Sequence, residues 1–215
     1  MPLPRESGWL LAAFTLLLVL VAVRVLVGTD RALFALGQLP QDCRLIGFSN
    51  VTNLLFSGEG CLALCVLSSL LLVRAGYGRW SLVPWLILGS VPIELAAKIW
   101  VHQPGPGGVS WPAQAGCGLS EPPVALGFNN SFPSGHITRA AYFAVLLVGL
   151  AGGPRRWPGC ALAVAATLVV FAVGLERVYR GVHWPTDVAG GLLLGPALAL
   201  ISVHLLTVRR RLNPV

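Results

Sequence analysis

The stretch Ser131-Phe132-Pro133-Ser134-Gly135-His136 opens directly into the apolar run Ile137–Ala151, and the rest of the chain is interpreted outward from this junction. A Pro-Ser-Gly turn before an apolar run is typical of a helix start. The first N–H groups of a helix lack partners within the helix and lie at the positive end of its dipole, so they can bind an anion. His136 adds a titratable group at the same place. The junction therefore predicts a helix N-terminus and a candidate anion site.

The composition is that of a membrane protein. Of the 215 residues, 55% are hydrophobic and 11% are charged, and the mean hydropathy is +0.77. Soluble globular domains carry about 25% charged residues. The net charge of +7 would favour nucleic-acid binding in a soluble chain, but here the arginines lie mostly in short connections between apolar runs. Membrane topology explains that placement, so we expect membrane lipids around the chain and no nucleic-acid partner.

Six apolar runs are long enough, or nearly so, to cross a bilayer, which takes about 20 residues. No internal repeat and no low-complexity tail interrupts them, so we expect one domain over residues 1–215. The fourth run is short, and we expect its helix to extend back through Gly135 and His136. The sequence thus predicts an all-α, polytopic membrane protein, a bundle of six transmembrane helices at approximately Gly8–Val27, Leu54–Val73, Leu82–Val101, Ile137–Ala151, Pro158–Leu175 and Val188–Val208.

The placement of arginines predicts the orientation of this bundle. With six spans, the two tails and the second and fourth connections all lie on one side of the membrane. The positive-inside rule assigns that side to the cytoplasm, because it holds Arg5, Arg74, Arg79, Arg155, Arg156, Arg209, Arg210 and Arg211. The long connection from His102 to Ser134 contains no lysine or arginine. We therefore expect a multi-pass protein of the cell membrane with both termini cytoplasmic and this connection outside.

Charged residues within the spans need a reason, because each costs about 2.5–3.5 kcal/mol at mid-membrane. Glu94 and Lys98 are four residues apart on the third run, so they share a helix face and can pair. A structural ion pair is one interpretation. Lys98 is, however, the only lysine of the chain and lies level with the Pro-Ser-Gly-His turn, which favours anion binding. Arg139 follows His136 by three residues and is expected to point into the bundle.

A second cluster, residues 176–187, joins the fifth and sixth runs on the same outer side. Pro185 suits the first turn of the sixth helix. His183 then precedes the helix, and Asp187, four residues on, can accept its Nδ1–H. A carboxylate in that position fixes the tautomer and raises the basicity of the other ring nitrogen. Permanent positive charge for an oxyanion comes from two arginines of the cluster, Arg177 and Arg180.

Together these residue types favour phosphoryl transfer. Two histidines, a lysine, arginines and a helix N-terminus converge on one rim, and no Cys/His spacing indicates a metal site. Catalysis of phosphoryl transfer is mostly positioning and charge stabilisation. Non-catalytic interpretations stay open for single residues. An interfacial histidine is more often a hydrogen-bonded structural residue than a catalyst, and Arg177 could anchor lipid headgroups. Which histidine attacks stays open at this point.

The same residues resemble the type 2 phosphatidic acid phosphatase superfamily, the membrane lipid phosphate phosphatases. Its signature is Lys-x6-Arg-Pro, then Pro-Ser-Gly-His, then Ser-Arg-x5-His-x3-Asp. The second part matches completely at residues 133–136. The third matches at three residues, but Glu176 stands in the usual serine position; the matches are Arg177, His183 and Asp187. The first matches at Lys98 and Pro106, whereas Gly105 replaces the usual arginine. The resemblance covers about residues 94–191.

The resemblance implies a mechanism and a set of site residues. His183 is implied as the nucleophile that forms a phosphohistidine, later hydrolysed, with Asp187 orienting it. His136 is implied as the general acid that protonates the leaving group and then activates water. The implied phosphate-binding groups are Lys98, Ser134, Gly135 through its N–H, and Arg177. Neither a metal nor a cofactor is implied.

Gly105 is the departure that matters most, because a buried arginine contributes strongly to transition-state stabilisation. Three explanations are open. Another cation fills the gap, the substrate carries its own compensating group, or turnover is slow or lost. We expect compensation, since every other chemical residue is present; the candidate auxiliary residues are His102, Arg139 and Arg180.

The expected function is that of an integral membrane phosphatase acting on a lipid phosphate or diphosphate at the outer leaflet. Its substrate class would be a polyprenyl diphosphate such as the recycled cell-wall carrier, phosphatidylglycerophosphate or phosphatidic acid. Two alternatives stay open: a lipid phosphotransferase using the same site, and a non-catalytic lipid-phosphate binder for which Gly105 is the main support. The lipid tail, the oligomeric state and a Cys43–Cys117 disulfide are left undecided by the sequence.

Overall fold

The computed structural model describes residues 4–38, 43–107, 130–153 and 157–212, with side chains for all of these except 43–46, 157–158 and 210–212. Cys117, most of the long connection from His102 to Ser134 and the Arg155–Arg156 pair lie outside the described residues, as does the side chain of Cys43. Most of the described residues lie in helices: α1 Arg5–Ala22, α2 Val27–Gly37, α3 Cys43–Phe56, α4 Gly58–Arg74, a 3-10 segment Gly78–Gly89, α5 Ser90–Trp100, α6 Gly135–Leu150, α7 Trp157–Tyr179 and α8 Pro185–Leu212.

Every predicted apolar run lies on a helix, and the all-α, multi-pass prediction is confirmed. Four helical segments in the described ranges are long and apolar enough to cross a membrane: Arg5–Ala22, Gly78–Trp100, Gly159–Tyr179 and Pro185–Arg209. Two further helices, Gly47–Phe56 and Gly58–Arg74, meet at a bend of 61°. If they form one broken span, they are a fifth candidate membrane span among the described residues. The helix Gly135–Leu150 has 16 residues and begins at the expected Gly135. Six crossings remain a prediction.

The first and second runs differ from their predicted boundaries. The first helix ends at Ala22, and Arg24 adopts a left-handed backbone conformation (φ 63°) in the turn before the separate helix α2. The second run is broken at Ser57, whose hydroxyl caps a new helix by accepting a hydrogen bond from the Gly60 N–H at 3.0 Å. The residues before this break form their own helix, α3, which contacts α6 and α7.

The α6–α8 pair positions the site. A Cβ on Gly191 would lie 2.8 Å from the Ser134 carbonyl oxygen, and one on Gly195 would collide with the Thr138 carbonyl oxygen. The glycines therefore let the two helix backbones touch, as small residues do between membrane helices. At the start of both helices, the Ser134 N–H donates to the Asp187 carbonyl at 3.0 Å. This contact joins the two signature segments directly.

The fifth run is longer than predicted. Helix α7 continues to Tyr179, so Glu176 and Arg177 lie in its last turn rather than in the connection that follows. Pro185 is the first residue of α8, as its fixed φ predicts.

At the opposite end of the bundle, Arg209 lines a groove of about 750 Å³ with Ala75 and Leu150. Among the described residues, Arg74, Arg79 and Arg209 thus lie towards the end of the bundle opposite the signature residues.

Candidate active site

The signature residues meet at one end of the bundle. They come from the end of α5, the turn before α6, the last turn of α7 and the start of α8. The predicted catalytic and phosphate-binding residues are described next with their contacts: Lys98, Ser134, Gly135, His136, Arg177, His183 and Asp187.

His183 and Asp187 form the predicted pair. Asp187 is fully buried, and its Oδ2 lies 3.2 Å from His183 Nδ1. The same Oδ2 accepts the backbone N–H of Trp184 at 2.8 Å, which holds the carboxylate at the start of α8. Because the carboxylate accepts from Nδ1, the His183 Nε2 lone pair is left for a substrate.

His136, the second residue of α6, is held from α3. Its Nε2 lies 2.8 Å from Asn53 Oδ1. The Arg177 Nη1 reaches the same oxygen at 3.5 Å. The candidate general acid and a candidate phosphate-binding arginine therefore share one contact, on a residue that the sequence had not singled out.

Arg177 is only 3% exposed and is held on two sides. Its Nε pairs with the Glu176 carboxylate at 2.7 Å, and its Nη2 donates to Thr52 Oγ1 at 3.3 Å. A buried arginine needs such partners, because an unpaired buried charge is strongly destabilising. The guanidinium is thereby oriented before any phosphate binds.

Glu176, in the usual serine position of the signature, connects both arginines of the cluster to α3. Its Oε1 accepts the Ser49 hydroxyl at 2.5 Å and lies 3.9 Å from Arg180 Nε. The Arg180 Nη1 donates to the same Ser49 hydroxyl at 2.6 Å. Arg180 is thus a component of the Glu176 network that also holds Arg177.

Lys98 is bound to the segment before the Pro-Ser-Gly-His turn. Its Nζ donates to the carbonyls of Asn130 at 3.2 Å and Ser131 at 3.1 Å. The alternative interpretation, a Glu94–Lys98 ion pair, does not match the structure: Glu94 accepts the Ser90 hydroxyl at 2.8 Å and pairs with Arg139 Nη1 at 3.7 Å. Glu94 is one helical turn deeper than Lys98, where α6 brings Arg139 next to it.

The turn itself is tightly packed. A Cβ on Gly135 would lie 2.5 Å from Glu94 Oε2 and 3.0 Å from Arg139 Nη1, so glycine lets the ion pair approach the start of α6. Ser134 Oγ is fully buried and has no hydrogen-bond partner among the described residues. A buried hydroxyl without a partner is costly. Ser134 Oγ and the Gly135 N–H are therefore suitable donors for an anion.

Gly105 lies beside the two signature segments. A Cβ added there would have ordinary contacts, 3.6 Å from the Val182 carbonyl oxygen and 3.9 Å from the Ser131 Cβ. Of the auxiliary candidates, Arg139 is bound by Glu94 and by the Phe56 carbonyl at 2.6 Å. His102 is exposed and lines a separate cavity of about 120 Å³.

Helix α2 supports the start of α8 through Asp30. Its Oδ1 accepts the Thr186 N–H at 2.9 Å, and its Oδ2 accepts the Thr186 hydroxyl at 2.6 Å and the Gln103 amide at 3.1 Å. Burial raises the pKa of Asp30 above its ordinary value, and the hydrogen bonds from Thr186 oppose that rise. Asp30 fixes the residue next to Asp187.

The sequence reasoning missed the helix α3 residues. Three polar side chains of α3 face the site, at spacings of three and four residues that place them on one helix face: Ser49, Thr52 and Asn53. The three- and four-residue spacing of these polar side chains was the sequence signal that could have identified them. Among the described residues, no group of three or more His, Cys, Asp or Glu side chains is arranged to hold a metal ion.

Comparisons with known proteins identify the family of the chain. The sequence profile of the PAP2 superfamily matches residues 62–211. Phosphatidylglycerophosphatase B of Escherichia coli (strain K12) is 38% identical over 77 residues, which are 35% of this chain and 28% of that protein. An undecaprenyl-diphosphatase of Sulfolobus acidocaldarius is 40% identical over 75 residues, 35% of this chain and 33% of that protein. The chain thus covers well under two thirds of each relative.

A solved structure shares the fold along nearly the whole chain. The crystal structure of a transmembrane PAP2 type phosphatidylglycerolphosphate phosphatase from Bacillus subtilis superimposes with a TM-score of 0.68 at 22% identity, covering 94% of this chain and 96% of that one. The matched residues 62–211 are more than half of the chain and include all three signature segments. The chain therefore belongs to the PAP2 superfamily.

Proposed function

We propose that this protein is a membrane phosphatase that hydrolyses the phosphomonoester or diphosphate of a lipid. The observation that carries the proposal is the His183–Asp187 pair placed beside a buried, oriented Arg177 and the N-terminus of α6. The names of the relatives, a phosphatidylglycerophosphatase and an undecaprenyl-diphosphatase, support a lipid phosphate as the substrate. Apolar helices beneath the site suit a substrate whose tail stays in the bilayer.

In the first step, His183 Nε2 attacks phosphorus and the bond from phosphorus to the leaving oxygen breaks. Asp187 accepts the Nδ1–H throughout and stabilises the positive charge that the ring acquires. His136 donates a proton to the leaving oxygen. The products of this step are a phosphohistidine and either the lipid alcohol, from a monoester, or the lipid monophosphate, from a diphosphate.

In the second step, water attacks the phosphohistidine. The now neutral His136 accepts a proton from that water, inorganic phosphate leaves and His183 is restored. The equatorial oxygens carry the charge in both transition states. We assign their stabilisation to Arg177, Lys98, the Ser134 hydroxyl and the Gly135 N–H, because preorganised donors act most strongly where water is excluded.

We further propose that the site faces the extracytoplasmic side of the cell membrane, with both termini in the cytoplasm. The support is the segregation of charges: the signature residues lie at one end of the bundle, and Arg74, Arg79 and Arg209 lie towards the other. A phosphate at the interface would then enter the site from the outer leaflet.

A phosphate-release assay tests the proposal. Purified protein is given phosphatidylglycerophosphate, phosphatidic acid and undecaprenyl diphosphate in mixed micelles. We expect release from at least one of them and a loss of about 10³-fold or more in kcat for His183→Ala. His102→Ala is the matched control, since His102 faces a separate cavity, and it should retain activity. Equal activity of His183→Ala and the wild type contradicts the mechanism. An added alcohol acceptor and product analysis separate hydrolysis from transfer.

A further inference from the structure

Asn53 is the side chain of α3 in direct contact with a catalytic candidate. Its Oδ1 lies 2.8 Å from His136 Nε2 and 3.5 Å from Arg177 Nη1. Helix α3 is fixed in this position by further contacts with the end of α7, from Ser49 to Glu176 and from Thr52 to Arg177. The amide is therefore held against His136 by a network rather than by a single flexible contact.

The arginine contact decides which proton His136 carries. A guanidinium has donors only, so the atom of Asn53 that faces Arg177 is the amide oxygen. The same oxygen faces His136 Nε2, and an oxygen can only accept. His136 Nε2 must therefore carry a hydrogen, which leaves Nδ1 as the nitrogen that exchanges a proton with the substrate.

The two histidines of the site thus have different hydrogen-bond partners: His183 contacts the Asp187 carboxylate, and His136 contacts the Asn53 amide. His183 is backed by the fully buried carboxylate of Asp187, which favours a strong base and nucleophile. His136 is backed by a neutral amide, which orients the ring but adds no negative charge to retain its proton. Environments that distinguish two titratable groups commonly separate their acid and base roles.

We propose that Asn53 is a positioning residue that fixes the tautomer and orientation of His136 and so makes it the proton donor to the leaving group. This rests on the proposed function, in which His136 is the general acid. Asn53 acts through His136 and need not touch the substrate. Removal of Asn53 should therefore weaken the step that needs a proton and spare a step that does not.

Two phosphate monoesters with matched alkyl tails test this assignment. Decyl phosphate has an alkoxide leaving group that must be protonated, whereas an alkyl-tailed nitrophenyl phosphate releases a phenolate that leaves without a proton. The ratio kcat/KM is compared because it reports steps up to the phosphoenzyme and not its later hydrolysis. The variant is Asn53→Leu, which keeps the side-chain size and removes the acceptor.

For Asn53→Leu we expect kcat/KM to fall about 10-fold or more with decyl phosphate and to change less than about 3-fold with the nitrophenyl substrate. His136→Ala should show the same pattern, and the double variant should be no slower than His136→Ala alone, since coupled residues are not additive. Asn50→Leu, on the exposed face of the same helix, is the matched control and should resemble the wild type. Thermal unfolding confirms that each variant is folded.

Other results overturn the assignment. Equal losses on both substrates mean that Asn53 acts through Arg177 or through the fold, and no loss on either means that it does not position His136. An additive double variant contradicts action through His136. A wild-type protein that releases phosphate from neither monoester nor from the lipid panel contradicts the proposed function itself, and the Asn53 assignment falls with it.

Discussion

At the level of single residues, the site differs from the family signature at two positions, and both differences change the charge in the same direction. Gly105 removes a positive charge, and Glu176 adds a buried negative charge between Arg177 and Arg180. Both changes make the phosphate-binding region less positive. The cations near the turn are also bound to carboxylates or carbonyls, but Lys98 and Arg177 each have more N–H donors than these contacts use.

Restoring the family arginine is the corresponding prediction. Gly105 has no positive φ and space for a Cβ, so Gly105→Arg should fold. Two of the residues expected to compensate are held elsewhere, Arg139 by Glu94 and His102 at a separate cavity. We therefore expect Gly105→Arg to raise kcat/KM for the preferred lipid phosphate about 10-fold, because a further donor would stabilise the transition state. Gly105→Leu is the matched control without charge and should give no gain. An arginine variant that is folded and no faster than the leucine variant would show that the charge is already compensated.

At the scale of the element, local chemistry predicted some boundaries and could not predict others. The starts of α6 and α8 follow from the Pro-Ser-Gly turn and from Pro185, which act within a few residues. The break at Ser57 gives α3 its own direction. In that direction α3 makes contacts such as the hydrogen bond from Ser49 to Glu176, 127 residues away in the sequence. Sequence spacing cannot supply a partner at that distance.

The Glu94–Lys98 pair is a second case of this limit. Spacing of four residues predicts that two side chains can meet, but not that a third side chain will compete. Arg139 of α6 forms an ion pair with the Glu94 carboxylate, and Lys98 donates hydrogen bonds to the carbonyls before the turn. By contrast, His183 and Asp187 stay paired because both lie at the start of one helix, where the Trp184 N–H also fixes the carboxylate.

The contact between α6 and α8 carries the element-scale prediction. A Cβ at Gly195 would collide with the Thr138 carbonyl, a backbone atom that cannot move alone. Gly195→Ala should therefore destabilise the protein by about 1–3 kcal/mol and lower activity, since Ser134 and Asp187 are joined across this pair. Thermal unfolding in detergent measures it. Gly8→Ala, with nothing near the added Cβ, is the control; equal stability of the two variants contradicts the packing account.

For the molecule as a whole, the proposed orientation in the membrane can be tested. His102 and Arg74 are both exposed and lie towards opposite ends of the bundle. In a background in which Cys43, Cys117 and Cys160 are replaced by serine, a membrane-impermeant maleimide should label His102→Cys in intact cells and Arg74→Cys only after permeabilisation. Cys160 is exposed and would react as well, and Cys117 lies in the connection that we expect outside, so a native cysteine at these positions would obscure the result. Labelling in the reverse order contradicts the proposed topology.

The fold places a polar, charged site at one end of an otherwise apolar bundle. The proposed mechanism depends on a covalent intermediate at His183 in this site. The most direct measurement is to quench a reaction with ³²P-labelled lipid phosphate, keep the protein at alkaline pH and map the labelled peptide. We predict an acid-labile label on His183 that is absent in His183→Ala. Turnover with no label, or a label on another residue, would contradict it.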